Sequence, residues 1–319
     1  MDSKYEIIIN YLSPILKWLK DNEINEIMIN RKDDIWIKKY GLKHQKINAV
    51  FEENQLKGLI TLLASASHKE IGDEKSQKDT FKIVSAGIPG YRIEAWSRPV
   101  SLYGPSLTIR KLSTKFFSLD DYCNNGVITA AIKDYLKLNV INKKNILIAG
   151  GTGSGKTTFF NALIEKIPIH ERLLVIETIP ELSIKDRNVL YLQADIEQGY
   201  SVNRLIQSAL RGFPDRILIG ELRGIEADGY LTVCNTGHQG SIATIHSNSA
   251  LDALLRFEDM LLDSGRNLEI DLLKKRIGSI KLIVIYLKLI EKEKISPALT
   301  EIIEIEGVHK NDYVYKRVL

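Results

Sequence analysis

The chain has 319 residues, a formal net charge of +4, and 44% hydrophobic and 26% charged residues. That length exceeds one typical hydrophobic core and suits two domains, and the composition is that of a globular protein rather than a disordered, fibrous or membrane-embedded one. Positive charge is interleaved with acids, as in Glu291-Lys-Glu-Lys294, which argues against the continuous basic footprint of a nucleic-acid reader or translocase.

Two distant cysteines, Cys123 and Cys234, make neither a disulfide framework nor a metal motif and fit a reducing cytoplasm. The first residues carry mixed charge without a small-residue cleavage site, so no signal peptide is expected. No apolar run approaches the ~20 residues of a membrane span. The expected location is cytoplasmic, with any membrane association peripheral.

In chain order, Tyr5, Ile8, Ile9 and Leu12 recur at helical intervals, and Ser13-Pro14 predicts a new helix with Ser13 as its cap. Ile15, Trp18 and Leu19 are expected to face a core. A membrane-surface helix is disfavoured because the polar side carries acids as well as lysines. Residues 26–30 and 34–38 alternate as strands around a turn at 31–33. Residues 56–66 are helical in pattern, 69–82 polar and loop-like, and 91–96 and 106–110 strand-like again. The amino-terminal domain, 1–112, is therefore α+β, followed by a linker and connecting helix over 113–144.

From Asn145 onward, short apolar strands alternate with helices: 145–149, 173–177, 189–192, 216–220 and 241–245, with a further buried strand within 280–290. This pattern predicts a doubly wound α/β sheet for residues 145–319.

Gly150-Gly-Thr-Gly-Ser-Gly155-Lys156-Thr157 matches G-x-x-x-x-G-K-[ST] in full, between a buried strand and a helix beginning near Thr158. Glycines allow backbone N–H groups to face phosphate oxygens, and the helix start adds a field that favours anions. Gly151, Thr152, Gly153, Ser154, Gly155, Lys156, Thr157 and Thr158 are the candidate phosphate ligands. Lys156 would contact the β- and γ-phosphates of ATP, and the Thr157 hydroxyl would ligate Mg²⁺. Glu221 ends an apolar strand and is assigned to the metal shell through water; its alternative is a helix-start acid. Glu177 and Glu181 follow another strand, and Glu181 is placed to polarise water, against the alternative of a solvated loop acid. His238 lies in a glycine-flanked turn and His246 at a strand end; the pair lacks the third ligand of a zinc site. His238 is read as a phosphate donor or as a reporter of nucleotide state to a neighbour, His246 as either structural or nucleotide-facing.

Four segments occur in order: Gly150-Gly-Thr-Gly-Ser-Gly-Lys-Thr-Thr158, Ile176-Glu-Thr-Ile-Pro-Glu-Leu182, the stretch from Arg211 to Gly224 containing Gly220-Glu-Leu-Arg223, and the stretch from Asn235 to Ser249. Together they resemble the traffic ATPases of type II and type IV secretion, and most the VirB/TrbB-type ring ATPases of conjugation and type IV secretion. The short chain and the lack of a four-cysteine module argue against the type II branch. The resemblance implies a RecA-like P-loop domain, ATP hydrolysis with Mg²⁺, and a homohexamer whose partners are a larger secretion ATPase, the coupling protein and inner-membrane components. It implies Glu181 as the water-activating acid, Glu221 as the Walker B glutamate, and His238 and His246 as the histidine box. It also implies that Arg92 and Arg110, and with less support Arg98, serve the nucleotide. Asn30 matches without a chemical role. Thr178 departs from the family, standing where an aspartate is usual. It leaves open a nucleotide-dependent switch or scaffold with little turnover, and a pilus-retraction-like motor is the near alternative.

Overall fold

Backbone placement follows from two periodicities, two for strands and 3.6 for helices. The computed structural model describes residues 3–39, 41–66, 83–112, 116–196, 198–265, 269–291 and 295–319. The chain divides into two units, one of residues 1–114 with 293–295 and one of residues 115–292 with 296–319.

The first unit comprises α1 (Ser3–Tyr11), a 3-10 turn (Ser13–Ile15), α2 (Leu16–Lys20), β1 (Ile24–Arg31), β2 (Asp34–Lys39), β3 (Gln45–Ile47), α3 (Glu53–Ala66), β4 (Ile83–Ile88), β5 (Tyr91–Trp96) and β6 (Ser106–Lys111). The strands pair antiparallel in the order β3-β2-β1-β6-β5-β4. Alternate strand residues, among them Ile27, Ile29, Ile93, Ala95, Leu107 and Ile109, meet Ile8, Leu12, Leu56, Leu59 and Leu63 of the helices in one core. Ile15 and Leu19 are buried there and Trp18 packs at its margin. The expected Ser13 cap is corrected: Leu12 holds the cap position, no side chain caps the turn, and Pro14 sits within its first residues. Asn30 gains a structural role, since its Nδ2 donates to Asp34 Oδ2 at 3.0 Å and pins the β1–β2 turn. The expected loop at 69–82 lies outside the described residues.

The second unit comprises α4 (Leu119–Asn124), α5 (Ala130–Ile141), β7 (Ile146–Gly150), α6 (Lys156–Ile164), β8 (Leu173–Glu177), β9 (Val189–Gln193), α7 (Val202–Ala209), β10 (Arg216–Leu222), α8 (Glu226–Asn235), β11 (Ile242–Ile245), α9 (Ala250–Leu262), α10 (Ile270–Ser279), β12 (Ile283–Glu291), β13 (Ile295–His309) and β14 (Asp312–Arg317). The sheet order is β14-β13-β12-β7-β11-β10-β8-β9, and the six strands from β12 to β9 are mutually parallel. Both faces are covered, as parallel sheets require. Leu147 and Ala149 of β7 enter a core with α7, α8, α9 and α10, while Ile146 and Ile148 enter a second core with α4, α5 and α6.

The stretch expected as linker and connecting helix is largely part of this unit's packing. Leu119, Tyr122, Ile132, Leu136 and Val140 are all buried in the second core. The caps explain why two helices form there: Ser118 and Asp121 make a reciprocal capping box on α4, and Thr129 Oγ1 accepts from Ile132 N on α5.

At the edge where the parallel strands begin, Arg216 is fully buried. Its Nε donates to Glu171 Oε2 at 2.5 Å and its Nη1 to Val140 O at 2.7 Å, joining α5, the segment before β8 and the start of β10. Removing one partner strands a buried charge. Glu171→Ala should therefore cost about 3–5 kcal/mol in urea unfolding. A loss under ~1 kcal/mol would show that Arg216 is satisfied without its carboxylate.

Candidate functional site

The carboxyl ends of parallel strands emerge at one sheet edge, and pairing register decides which residues meet there. Ala149 of β7 is level with Ile245 of β11, Ile245 with Leu222 of β10, and Ile176 of β8 with Ile219 of β10. Gly150, Glu177 and His246 come one residue beyond Ala149, Ile176 and Ile245, and Glu221 lies between Ile219 and Leu222. Between Ile219 and Leu222 the β10–β11 register slips by one residue. Such a slip re-aims side chains, and Glu221 lies inside it. Thr244 Oγ1 fastens the slip by donating to Gly220 O at 2.6 Å.

After β7 the chain wraps through Gly150 to Gly155. Gly155 is the N-cap of α6 at φ +87° and offers no side-chain acceptor, so the first N–H groups of α6 have no side-chain cap. A Cβ at Gly150 would lie 2.4 Å from Leu287 O and 2.5 Å from Ser154 Oγ, so only glycine fits. A Cβ at Gly151 or Gly153 would meet nothing within 4 Å, leaving open space over the loop backbone. Ser154 is buried, and no protein atom pairs with its Oγ among the described residues. Uncapped amides, an open cradle and a lysine at the helix start suit a polyphosphate. Thr157 and Thr158 follow on the first turn of α6.

Lys156 is buried. Its Nζ donates to Gly150 O at 2.8 Å and Gly151 O at 2.9 Å, and lies 3.4 Å from His246 Nδ1. His246 Nε2 is 3.1 Å from Glu221 Oε1. Burial lowers the His246 pKa, Lys156 lowers it further, and Glu221 opposes them. A neutral ring protonated on Nε2 satisfies both contacts, donating to Glu221 and accepting from Lys156. The other Glu221 oxygen, Oε2, accepts from Arg223 Nε at 2.9 Å and Nη2 at 2.7 Å. Arg223 N and Gly224 N both donate to Glu226 Oε1, which fixes the turn into α8.

Glu181 reaches the same place from the β8 side: Thr157 Oγ1 donates to its Oε2 at 3.1 Å. The loop bearing it is fastened from three directions. Glu177 Oε1 accepts from Glu181 N and Leu182 N, each at 3.1 Å. Asn161 Oδ1 accepts from Ser183 N at 3.2 Å, and Gln193 Nε2 donates to Thr178 O at 3.2 Å. Burial pushes the Glu177 carboxyl up to about 7; its backbone hydrogen bonds pull the other way, and the nearby Glu181 charge adds to the rise.

The structure thus brings together Lys156, Thr157, Glu181, Glu221 and His246. His238 stands apart from them. It precedes β11, where Gly240 N donates to Asn145 Oδ1 at 3.0 Å and Ser241 Oγ to His238 O at 2.9 Å, at the level where β7 begins. The two histidines flank β11 (Ile242–Ile245) and leave it at opposite ends, so His238 stands at the edge where the parallel strands begin. Arg92 and Arg110 belong to the first unit, directly opposite each other across β5 and β6, with Glu26 opposite Arg110 on β1. Their neighbours Ile93 and Ile109 face the core, so the arginines occupy the other face. Sequence reasoning gave no role to Arg223, Asn161 or Gln193. Only Arg223 carried a signal, as the cation two residues after Glu221. Among the described residues no cluster of three or more His, Cys, Asp or Glu is arranged to hold a metal, and no helix is long and apolar enough to cross a membrane.

Residues 10–303 match the family described as type II/IV secretion system protein. The chain is 33% identical over 302 residues to the conjugal transfer protein TrbB of Rhizobium radiobacter, covering 92% of this chain and 88% of that protein. It is 35% identical over 336 residues to the type IV secretion system protein VirB11 of Bartonella henselae, covering 91% of each. Among solved structures, the VirB11 ATPase of the Brucella suis type IV secretion system is 28% identical, with 94% of each chain covered and a TM-score of 0.50. The Legionella pneumophila ATPase DotB shares the fold at 21% identity and a TM-score of 0.63, over 91% of this chain and 79% of that one.

Glu177 gives the site a stability signature. Its carboxyl titrates at its ordinary 4.5 when unfolded and about 7 when folded. Between these values the folded state keeps a proton the unfolded state has lost. Its contribution is therefore complete below the lower value and disappears as pH rises through the upper one. Glu177→Gln cannot titrate. Its stability relative to the parent should rise between about pH 5 and 8, by up to roughly 3 kcal/mol, in urea unfolding. A difference flat across that range would mean that burial does not hold the proton.

Proposed function

The chain belongs to the type II/IV secretion system protein family and is an ATPase of its type IV secretion and conjugation branch, and from that premise we propose that it works as a homohexameric ring motor. The observation that supports a hydrolytic role is the convergence of Lys156, Thr157, Glu181, Glu221 and His246 on one edge of a RecA-like sheet.

In this reading the amides of Gly151 to Thr158 and the Lys156 ammonium gather the triphosphate of ATP. Lys156 exchanges its loop carbonyls for phosphate oxygens, which are stronger, charged acceptors. Thr157, and Glu221 through water, would hold Mg²⁺, which would supply positive charge against the phosphates. Glu181 orients and polarises the attacking water, with Thr157 beside it. His246 links Lys156 to Glu221, so a change at the phosphates reaches the end of β10 through two hydrogen bonds. Arg92 and Arg110 add positive charge for the nucleotide. Their assignment rests on the resemblance of the segments that carry them.

The output of such an enzyme is motion passed to partners rather than chemistry on a second substrate. We assign those partners to a larger secretion ATPase, the coupling protein and inner-membrane components, at the cytoplasmic face of the membrane and without sequence-specific DNA contact. Thr178, which lacks the charge of the usual aspartate, is the observation that favours a slow nucleotide switch instead.

Turnover separates the two. Glu181→Gln should lower kcat by about 10²-fold or more while leaving ATP binding intact, and Lys156→Ala should abolish binding. Light scattering with a non-hydrolysable ATP analogue should give six chain masses. Equal, negligible turnover in the parent and Glu181→Gln would replace the motor by the switch, and a monomer under all conditions would remove the ring.

A further inference from the structure

Glu177 ends β8 with 6% of its surface exposed, beside the reacting groups, and the roles assigned above leave it unused. A buried carboxylate is costly unless its oxygens are satisfied. Here one oxygen, Oε1, takes the backbone N–H groups of residues 181 and 182, and Leu182 N also lies 3.3 Å from Oε2. These N–H groups belong to a segment that is neither helix nor strand, so no ladder or helical turn satisfies them.

The carboxylate is in turn held by its surroundings. Residue 177 is the last of a strand paired on both sides, to β9 through Glu177 opposite Gln193 and to β10 through Ile176 opposite Ile219. Gly220 leaves its side chain room: a Cβ there would sit 2.9 Å from Glu177 Cγ. Ala194 N donates to Glu177 O at 2.8 Å, so the main chain at this point is anchored to the end of β9. A rigid strand end therefore grips the loop at the residue whose side chain accepts from Thr157.

We propose that Glu177 is a positioning residue for hydrolysis, its side-chain oxygen clamping the Glu181 backbone so that the Glu181 carboxylate stays on the Thr157 side of the phosphate loop. This rests on the reading of Glu181 as the water-activating acid. What the clamp needs is reach and an acceptor, not charge. Two conservative variants separate these: Glu177→Gln keeps the length and the acceptor oxygen, while Glu177→Asp keeps the charge and is one methylene too short.

The test measures steady-state and single-turnover ATP hydrolysis, with binding of a fluorescent ATP analogue, in full-length protein. Glu177→Gln should keep kcat within about 3-fold, and Glu177→Asp should lose at least about 10-fold, each with Kd changed by less than about 3-fold. In a Glu181→Gln background, Glu177→Asp should cause no further loss, because its effect passes through the missing group. A general loosening of the domain would lower both backgrounds alike and weaken binding. The proposal is overturned if Glu177→Asp retains kcat, if Glu177→Gln loses as much as Glu177→Asp, or if the Glu177→Asp loss persists undiminished without Glu181. Retained turnover in Glu181→Gln alone would overturn the role of Glu181 instead, and is read from a different arm.

Discussion

The site depends on parallel strands being held in register. β7, β8, β10 and β11 each deliver a group only because neighbouring strands end level with one another, to within the one-residue slip at Gly220–Glu221. A one-residue displacement of a strand would turn its side chains to the opposite face. Both faces of this sheet are packed by helices, so such a displacement would break two cores at once. The burial that stabilises the fold thus also fixes where Lys156, Glu181, Glu221 and His246 stand. At the other edge, Arg216 and Glu171 tie the strand starts to α5, far along the same strands from the chemistry.

Charge at the functional edge is arranged as a chain of matched partners. Lys156 is shared among two carbonyls and an imidazole, Glu221 between that imidazole and Arg223. His246 can bridge a cation and an anion only because it is neutral, with a donor on one nitrogen and a lone pair on the other. Burial of the ring favours that form. Such a chain has few stable arrangements, so displacing one member obliges the next to find a new partner. This is the physical content of coupling between phosphate contacts and the β10–α8 turn.

Much of this was legible in the sequence because the signals are local. The phosphate loop declares itself by glycine placement, and strand ends by apolar runs stopping at Glu177, Gly220 and Ile245. Information carried by distance along a strand was harder to read. His238 and His246 look like a pair in sequence, yet β11 lies between them and sends them to opposite edges. The stretch 113–144 is expected as a linker and connecting helix; one stripe of α5, Ile132, Leu136 and Val140, closes a core. β3 is too short and polar to stand out. The hairpin of β13 and β14 turns through Lys310 and Asn311, both at positive φ, without a glycine to mark it. Asn161 and Gln193 help secure the acidic loop from elements distant in sequence, and only assembled structure identifies them.

Thr178 shows how a local departure can be absorbed by neighbours. The backbone there does not depend on its side chain: its carbonyl accepts from Gln193, and the preceding carbonyl, Glu177 O, accepts from Ala194 N. An aspartate at 178 would place a third carboxyl in a five-residue stretch that already holds Glu177 and Glu181. The Glu181 charge already raises the Glu177 carboxyl, and another anion nearby would add to that repulsion. Threonine adds no charge to this stretch, and the acid facing Thr157 is kept. The substitution therefore removes charge from the loop without removing the loop's hold on Glu181, which is carried by Glu177 and the ends of β8 and β9.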